Sequence, residues 1–597
     1  MNKNSKIIVA VVVVIVLIIA SAAAYDILSH KKTAVTPPPP PAPKPPSTII
    51  VDAQTSPGDL DPGVASTTPD WGVIQQIYQT LVAYNGSSVT SYVGQLAYKW
   101  THGPNYFNWT FYLRQNVTFS NGDPFNAYVE WYSIYRSMLM NQSESFILWQ
   151  NFNDTSIGPS FLNSANFTSP TPSELAVMEN TSLPIYVVNK YEIHFTVGSG
   201  YLGDSPYAYF LATMTTPVTA AVDPIYIDQH GGVVADQKNT WMVDHTMGTG
   251  FYVLQNWVPG SYIQLVKNPD YWAASLPASE LNNALSPARS NVTIDFVAVA
   301  ATAITNLESG TANILSFQFS PTAVSSLMSV KGITVQQLPA IYGSTQATWY
   351  VYMNTSAQYF SNEDVRAAIV HAINYTEIIQ TAFGGYASEW VGPVPAGFPD
   401  YNPSNLSPYQ YNLTLAKQEM SAAGYPNGLP GSFQFLYVQS TDLTSAADII
   451  ASNLKQIGIN ITLAGVSLTA YDGITYPGGN VSQYPLGLEY YSADYVSPDD
   501  YTQEIVVPGG SSWPPSDWNN ATAYNLTYEA AATTNQTLAL QLYANLTELM
   551  YYNYIDAWLA IPYTFAIYSS NLQGVVLNPM GSAAPNFVMY YNTEYLT

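Results

Sequence analysis

The stretch NWTFYLRQNVTFSNGDPFNAYVEWYSIYR, residues 108–136, combines a strand, a turn and a helix in direct succession. Apolar and polar side chains alternate over residues 109–113, a period of two that predicts a half-buried strand. The Asn-Gly-Asp-Pro sequence at 121–124 then favours a tight turn, because Gly accepts positive φ and Pro cannot donate to a ladder. Asn126 suits a helix N-cap, and apolar residues follow it at helical spacing. The stretch alone predicts an α/β domain.

The order of residues in this stretch also resembles a segment near the N-terminus of family 5 solute-binding proteins of ABC transporters, the oligopeptide and dipeptide receptors. The pattern there is W-x-F-x-L-R-x-x-V-x-F-x-(D/N)-G-x-P-x-x-A, followed by a helix that ends in Arg. The chain departs from the family at Val129, where an acidic residue is usual. A reciprocal capping box is therefore lost, although Glu130 still suits the helix dipole.

Short motifs of the same family recur along the chain. Two are specific: MGTGFYVL at 247–254 and KNPDYW at 267–272 resemble the family's G-T-G-P-Y and N-x-x-Y-W, with Phe251 in place of the Pro. The resemblance spans about residues 48–570 and is sparse after residue 500. The remaining matches are L-D-P at 60–62, I-Y-x-x-L at 77–81, L-A-x-x-W at 96–100, V-R-x-A-I at 365–369, A-G-Y at 423–425, I-G-I at 457–459 and A-D-Y at 493–495.

Three further helices follow from periodicity. Residues 363–374 predict an amphipathic helix, residues 415–425 a helix closed by Gly424, and residues 448–457 a third helix that leads into a strand. Arg366 has two possible roles, a surface ion pair with a neighbouring carboxylate or a structural role in the scaffold, and its place in the motif favours the second. Residues 140–184 are polar and predict a loop-rich insertion.

Length and composition limit the function. A chain of 597 residues is too long for one core, so two or three domains are expected. It has no Cys, so disulfides are excluded. Its six His are scattered, which argues against a His-rich metal site, and its formal net charge of −24 argues against nucleic-acid binding. Only 9% of residues are charged, while Tyr, Asn, Ser and Thr are frequent. Such a surface stays polar at any pH, so we hypothesise an extracellular face in an acidic habitat, and the resemblance to the family implies an archaeal member from an acidophile.

Asn-x-Ser/Thr sequons support a location outside the cell. Eighteen are present, although many arise by chance in a chain rich in Asn and Thr. Asn116 and Asn460 have strand contexts and are expected to be buried. The glycosylation candidates are Asn85, Asn108, Asn141, Asn153, Asn166, Asn180, Asn291, Asn354, Asn405, Asn412, Asn480, Asn520, Asn525, Asn535 and Asn545.

The N-terminus predicts a membrane segment at residues 1–32. Two Lys precede an unbroken apolar run over 7–20, and the alternatives are a cleaved signal peptide with an Ala-x-Ala site at 22–24 or an uncleaved transmembrane anchor. The Pro-rich linker 33–47 favours the anchor, because an extended spacer is useful between a membrane and a folded domain.

The candidate ligand site centres on residues 490–495, YYSADY, which resemble the family's G-W-x-A-D-Y. In peptide receptors of the family this Asp pairs with the ligand's α-ammonium group, so the resemblance implies that role for Asp494. The alternative is a turn-forming Asp before the loop at 497–500. Asp499 and Asp500 are expected in a solvated loop rather than as an acid/base pair.

A partner for a peptide carboxylate is not visible in the sequence. Residues 343–560 contain only Arg366, Lys417 and Lys455 as bases, and all three lie in helix motifs of the scaffold. In acid a carboxyl group is neutral and needs no base. Alternatively the ligand is a neutral oligosaccharide stacked on Tyr and Trp, since archaeal members that resemble this chain bind sugars as well as peptides.

The resemblance implies an α/β, two-lobe periplasmic-binding-protein fold that closes on its ligand about a hinge. Carried over, the first lobe spans 48–342, with a subdomain at about 86–184, and takes back 561–597, while the second spans 343–560. The expected ligand contacts are Thr67, Thr68, Thr249, Phe251, Gln346 and Trp349 on or near the first lobe and Tyr490, Tyr491 and Asp494 on the second.

The implied function is that of an extracellular, membrane-anchored receptor of an ABC importer. It would be a monomer that captures peptides or oligosaccharides and delivers them unchanged to the permease, with no cofactor, metal or catalytic residue. Two alternatives remain: a structural surface glycoprotein that reuses the fold, and a secreted glycosidase that uses Asp494 with Asp499 or Asp500.

Overall fold

The computed structural model of the chain describes residues 48–198, 207–475, 479–507, 516–579 and 589–597. No helix in these ranges is long and apolar enough to cross a membrane. The predicted membrane segment 1–32 and linker 33–47 lie outside the described residues, so both stay predictions.

Strands and short helices alternate through these ranges. The strands are β1 (Thr48–Ala53), β2 (Val82–Tyr84), β3 (Tyr92–Gly94), β4 (Ala97–His102), β5 (Asn108–Leu113), β6 (Ile185–Asn189), β7 (Glu192–Thr196), β8 (Tyr252–Val258), β9 (Tyr262–Lys267), β10 (Asn291–Phe296), β11 (Ile314–Ser316), β12 (Ile333–Gln337), β13 (Thr348–Met353), β14 (Ala387–Ser388), β15 (Phe433–Val438), β16 (Ile461–Val466), β17 (Leu486–Tyr491), β18 (Asp556–Pro562), β19 (Phe565–Ser569), β20 (Leu572–Gln573) and β21 (Tyr595–Leu596). The α-helices are α1 (Thr68–Ile77), α2 (Ala127–Met140), α3 (Phe146–Trp149), α4 (Pro159–Leu162), α5 (Pro172–Met178), α6 (Phe210–Thr213), α7 (Pro224–Gln229), α8 (Ala300–Ser309), α9 (Pro321–Leu327), α10 (Ala340–Gln346), α11 (Glu363–Ala372), α12 (Tyr375–Thr381), α13 (Leu413–Ala422), α14 (Thr441–Lys455), α15 (Leu468–Thr475), α16 (Pro498–Val506), α17 (Ala521–Ala532) and α18 (Gln536–Tyr552). Short 3-10 helices cover Ser143–Ser145, Pro217–Thr219, Trp272–Ser275, Val481–Gln483 and Tyr591–Thr593.

Two large mixed sheets organise these elements. One has the strand order β12-β19-β11-β1-β10-β9-β8, and the other has the order β14-β18-β13-β17-β15-β16. In the first, β1 runs parallel to both β10 and β11, and its six residues are all buried, as expected of a central strand. We call the part of the chain built on the seven-stranded sheet the first lobe and the part built on the six-stranded sheet the second lobe.

The chain passes between the two sheets at two places. After β12 it continues through α10 into β13, and after β18 two residues, Tyr563 and Thr564, lead into β19. Within the second sheet, β13 pairs antiparallel with both β17 and β18, and β15 pairs parallel with β16 and β17. The predicted lobe boundaries at 342/343 and 560/561 stay predictions.

Strand β5, the first part of the stretch 108–136, lies in a four-stranded sheet with the order β4-β5-β7-β6. We count this sheet with the first lobe because its strands lie in the chain between β1 and β8. Trp109, Phe111 and Leu113 of β5 are buried, as the alternation predicted. Asn126 caps α2, because its side-chain oxygen accepts from the backbone N–H groups of Tyr128 and Val129. The helix runs four residues beyond Arg136, the end that the motif predicted.

Arg136 connects α2 to the L-D-P motif. Its guanidinium donates to both carboxylate oxygens of Asp61, with Nη1–Oδ1 at 2.8 Å, and neither side chain is accessible to solvent. A bidentate, fully buried pair of this kind holds two distant segments in one relative orientation. Two motifs of the family therefore contact each other.

Glu130 lies in the first turn of α2, where an acidic side chain suits the helix dipole as the sequence predicted, but it is buried. Its side chain is buried in α2, and neither carboxylate oxygen has a hydrogen-bond partner among the described residues. Burial raises the pKa of Glu130 well above its usual value, so folding favours the protonated form of this carboxyl group. The periodicity placed this residue correctly on a helix but could not show that its face was covered.

The other predicted helices are present, and they differ from the prediction mainly in the residues at which they begin and end. Gly424 follows α13 with a φ of +91°, the left-handed conformation that terminates a helix, whereas α14 begins seven residues before residue 448. Residues 140–184 contain several short helices and buried side chains such as Phe152 and Phe167, so they form more than a loop.

Arg366 has the structural role that its motif favoured. It is 5% exposed and donates to the backbone carbonyls of Phe360, Ser361, Asn553 and Tyr554. Because these carbonyls belong to two separated segments, Arg366 fixes α11 against the end of α18.

Candidate functional site

The G-T-G motif packs directly on the end of helix α1. A Cβ atom at Gly248 or Gly250 would lie 2.0 or 2.5 Å from the carbonyl oxygen of Ile77, so only glycine fits at either position. The N–H of Gly250 donates to that same oxygen at 2.8 Å. Thr249, between the two glycines, is fully buried, and its hydroxyl has no hydrogen-bond partner among the described residues. The motif therefore allows the backbone of residues 248–250 to pack closely on the end of α1, and Thr249 does not reach an open site.

A cavity of about 60 Å³ lies beside this motif in the first lobe. Thr68 and Phe251, two of the predicted contacts, line it, whereas Thr67 is exposed at the N-cap of α1. The backbone N–H of Thr67 donates to Asp70 Oδ2 at 3.1 Å, which is the reciprocal hydrogen bond of a capping box. The other residues around the cavity are Trp71, Gly72, Ile74, Gln75, Tyr78, Thr80, Ala83, Tyr84, Gln95, Thr215, Thr216, Pro217, Ala220, Asn578 and Tyr590.

The predicted contacts of the second lobe lie together on adjacent strands. Trp349 of β13 is the register partner of Tyr490 of β17, and their ring centroids are 5.1 Å apart. Both side chains are half-buried, whereas Tyr491 on the next position is 9% exposed. Trp349 thus belongs to the second sheet rather than to the first lobe. The side chain of Gln346 lies outside the described residues.

Asp494 follows β17 by three residues and is half-buried. The hydroxyl of Tyr491 donates to Asp494 Oδ2 at 3.3 Å and to Asp500 Oδ1 at 3.2 Å. Burial raises the pKa of Asp494 to about 7, although the Tyr491 hydrogen bond acts in the opposite direction. The ionised form of Asp494 therefore lacks a sufficient counter-charge in this structure.

Asp499 and Asp500 are not in a solvated loop, contrary to the sequence prediction. They occupy the first turn of α16 and are 0% and 1% exposed. Asp499 accepts hydrogen bonds from Ser497, Tyr207, Tyr495 and Gln503, an arrangement that orients the carboxylate but leaves no role for it as a free acid or base. The prediction was wrong because the Ser-Pro-Asp-Asp sequence suits either a turn or the start of a helix. Tertiary packing, and not this sequence, determines whether the two carboxyl groups are buried.

Hydrogen bonds connect the two lobes around these carboxyl groups. Tyr207 of the first lobe donates to Asp499 Oδ2 at 2.7 Å, and Tyr495 of the second lobe donates to Gln150 Oε1 at 3.2 Å. The N–H of Val496 donates to the hydroxyl of Tyr84, which also lines the first-lobe cavity. The segment 494–500 thus lies against the first lobe next to that cavity.

Glu144 is a buried carboxyl group of the first lobe whose pKa is raised in part by carboxyl groups of the second lobe. It lies in the 3-10 helix Ser143–Ser145, is 7% exposed, and its Oε2 atom has no hydrogen-bond partner among the described residues. Burial, together with repulsion from Asp494 and Glu504, raises the pKa of Glu144 well above its usual value. Sequence analysis missed Glu144, because a single Glu in a polar insertion carries no recognisable signal.

Three comparisons with known proteins place this architecture in a family. The family model described as the middle domain of bacterial extracellular solute-binding proteins, family 5, matches residues 91–513. This chain belongs to that family. The motif-based prediction of the family and of the two-lobe α/β fold is therefore confirmed, and so is the prediction that the chain is a binding protein and not an enzyme.

Individual relatives in the family are distant in sequence and similar in fold. A probable D,D-dipeptide-binding periplasmic protein of Escherichia coli (strain K12) is 22% identical over 543 residues, which cover 89% of this chain and 92% of the relative. The solved periplasmic binding protein DppA of Helicobacter pylori, in complex with the peptide STSA, has a TM-score of 0.67 at 22% identity and covers 92% of this chain and 98% of its own. A dipeptide-binding protein of Pseudoalteromonas sp. SM9913 in complex with Met-Leu has a TM-score of 0.68 at 19% identity, with coverage of 92% and 100%.

Proposed function

We propose that this family 5 protein is the receptor of an ABC importer and captures short peptides between its lobes, delivering them unchanged to the permease. The observation that carries the proposal is the position of Asp494. It is half-buried beside Tyr491, close in sequence to the aromatic pair Trp349–Tyr490, and it begins the segment 494–500 that contacts the first lobe. The names of the relatives, which mention peptides, support the same ligand class.

In this proposal Asp494 binds the α-ammonium group of the peptide. A buried carboxylate without a counter-charge is unstable, so an ammonium group that replaces its lost hydration is strongly favoured. Trp349 and Tyr490 offer flat apolar surfaces to a side chain or to the peptide backbone. Thr68 and Phe251 are proposed as the first-lobe contacts, through the cavity that they line.

Thermal unfolding at pH 7 with and without ligand tests this proposal. Trialanine is expected to raise the unfolding midpoint by mass action, whereas N-acetyl-trialanine and maltotriose are expected to have little effect. Asp494→Asn should weaken trialanine binding about tenfold or more, equivalent to 1.4 kcal/mol. Asp448→Asn, at an exposed position of α14 in the same lobe, is the matched control. A midpoint raised by maltotriose and not by trialanine would refute peptide capture.

We also propose that the protein is held on the outer face of the membrane by residues 1–32, with 33–47 as a spacer. The apolar run and the Pro-rich sequence support this arrangement, as does the need to reach a permease. In cell fractionation the protein should stay in the membrane pellet after alkaline carbonate washing and dissolve in detergent. An intact mass that begins after residue 24, with the protein in the soluble fraction, would show a cleaved signal peptide instead.

The exposure of the sequons supports a glycosylated protein. Fourteen of the eighteen sequon asparagines are exposed, against seven of the twenty-two other asparagines in the described residues. Asn116 and Asn460, which the sequence placed in buried strands, are both exposed, whereas Asn354 is 8% exposed. Glycopeptide mass spectrometry of protein from its native cells should find glycans at the exposed positions and none at Asn354. Unmodified peptides throughout would refute this proposal.

An acidic habitat is part of the same proposal. Carboxyl groups with pKa values raised by burial also occur outside the proposed ligand contacts, at Glu130, Asp556 and Glu594. Such groups lower the free energy of unfolding only at pH values at which they ionise. In an acidic medium they stay protonated, so the protein loses no stability through them.

A further inference from the structure

Residues 207–209, immediately before helix α6 of the first lobe, contact the second lobe through both side chains and backbone. We call these three residues the bridging segment. The hydroxyl of Tyr207 donates to Asp499 Oδ2 at 2.7 Å. The hydroxyl of Tyr209 donates to Asp400 Oδ2 at 2.9 Å. Two tyrosines of one lobe are therefore hydrogen-bonded to two carboxyl groups of the other.

A backbone hydrogen bond lies between these two side-chain contacts. The N–H of Ala208 donates to the carbonyl oxygen of Ala531 at 3.1 Å. The three acceptors lie on separate elements of the second lobe: Asp499 at the start of α16, Ala531 near the end of α17, and Asp400 between β14 and α13. Because a hydrogen bond is lost when donor and acceptor are more than about 3.5 Å apart, a small separation of the lobes breaks all three contacts together.

Phe210, the next residue, anchors the bridging segment in the first lobe. Its side chain is fully buried among aromatic rings on and beside the four-stranded sheet. The ring centroid of Phe210 lies 5.5 Å from that of Trp109, 5.7 Å from that of Phe195 and 6.0 Å from that of Phe152. Such packing holds the backbone in one position, so the bridging segment moves with the first lobe.

The bridging segment is separate from the two places where the chain passes between the large sheets. Those passages are residues 338–347, which contain α10, and residues 563–564. None of the three donors or three acceptors belongs to either passage. A hinge motion about the passages therefore separates the bridging segment from its acceptors without strain on the chain. Since every donor and acceptor belongs to the protein, the contacts act with or without a ligand.

We propose that the bridging segment is a latch that holds the two lobes closed and thereby sets the affinity of the receptor and the lifetime of its complex. The effect on ligand binding rests on the proposed function, whereas the effect on closure does not. In a protein that binds only when closed, the apparent dissociation constant is the intrinsic one divided by the closed fraction of the free protein. Contacts between the lobes that raise this fraction strengthen binding through closure alone.

The double variant Tyr207→Phe/Tyr209→Phe removes both hydroxyl groups and keeps both rings. Asp499 retains three other hydrogen bonds in this variant, so the start of α16 stays supported. Tyr135→Phe is the matched control, because the Tyr135 hydroxyl donates to Asp154 Oδ2 at 2.5 Å within the first lobe. It removes the same kind of contact from one lobe without affecting the contact between lobes.

Distances between two spin labels measure closure without a ligand. The chain has no Cys, so Ala176→Cys and Asp448→Cys, at exposed helix positions of the first and second lobes, create two defined label sites. In the full chain at pH 7, double electron–electron resonance is expected to show longer distances in the double variant than in the otherwise unaltered protein. Tyr135→Phe is expected to leave the distances unchanged, and saturating trialanine is expected to restore the shorter distance in the double variant.

Isothermal titration calorimetry with trialanine measures the effect on affinity. If half of the free protein is closed, a closing equilibrium constant lowered about tenfold weakens the apparent affinity about fivefold. The double variant is expected to show a loss of about this size, with faster dissociation of trialanine in stopped-flow measurements. Tyr135→Phe is expected to bind trialanine as the unaltered protein does.

Closure and ligand binding can fail separately in these measurements. If the double variant keeps both the distances and the affinity of the unaltered protein, the latch is wrong and peptide capture stands. A lower affinity with unchanged distances, or an equal loss in Tyr135→Phe, would also overturn the latch. If trialanine does not bind the unaltered protein, the proposed function is wrong, and the distances still decide the latch. If the double variant fails to fold, Tyr209→Phe alone, at a half-buried position, decides by the same measurements.

Discussion

Asp556 at the start of β18 makes a measurable prediction about stability and pH. The residue is 0% exposed, accepts a hydrogen bond from the Ser516 hydroxyl at 2.5 Å, and its second oxygen has no hydrogen-bond partner among the described residues. Burial raises the pKa of Asp556 from 3.8 to about 7, although Ser516 and Arg366 act in the opposite direction. The folded state therefore favours the protonated carboxyl group.

The sign and size of the effect follow from the two pKa values. Because the folded pKa is raised, the stabilisation is fully present below about pH 4 and is lost as the pH rises through about 7. A difference of about three pKa units corresponds to about 4 kcal/mol at 1.36 kcal/mol per unit. Asp556→Asn keeps an oxygen acceptor for Ser516 and cannot ionise. At pH 8 the variant should be more stable than the unaltered protein by up to about 4 kcal/mol, and at pH 3.5 the two should agree within about 1 kcal/mol.

Urea unfolding followed by Trp fluorescence at several pH values measures this difference, since the buried Trp558 lies on the same strand. Asp448→Asn removes an exposed carboxyl group from the same lobe and should leave the pH dependence unchanged. Parallel pH profiles for Asp556→Asn and the unaltered protein would refute the reasoning, because they would mean that the ionised form of Asp556 is accommodated at no cost.

Three further substitutions test the scaffold by the same urea titration. Asp61→Asn leaves the Arg136 charge buried without its carboxylate and should lower the free energy of unfolding by about 3–5 kcal/mol at pH 7. A decrease below about 1 kcal/mol would contradict an Arg136–Asp61 ion pair that is buried away from water. Arg366→Lys cannot reach the separate backbone carbonyls that the guanidinium fork contacts and should cost about 2 kcal/mol, with an unchanged stability counting against that role. Asn126→Ala removes the cap of α2 together with the Nδ2 hydrogen bond to the Phe167 carbonyl and should cost at least about 1 kcal/mol, whereas Asn126→Asp should keep the cap but lose that hydrogen bond.

Local features of the molecule could be predicted because neighbouring residues decide them. The alternation in 109–113, the cap at Asn126 and the helix end at Gly424 depend on side chains within a few positions of one another, and all three have the expected structure. The order of the motifs also identified the family, and through it the two-lobe fold.

Burial was the property that local sequence could not supply. Asp499 and Asp500 have the composition of a solvated turn, yet the first lobe covers them through Tyr207 and neighbouring groups. Asn116 and Asn460 have the composition of strands, yet both are exposed. In each case the residues that cover or uncover the position are far away in the chain.

The sequence by itself determined the secondary structure near each motif, the family, and the absence of a cysteine or a basic anchor beside Asp494. Only the tertiary structure decided that Asp499 and Asp500 are buried at the start of α16 and that Tyr207 of the first lobe donates to Asp499. The physical reason is that the charge state of a carboxyl group depends on the water and the charges within a few ångströms of it. Folding brings those neighbours together from positions hundreds of residues apart.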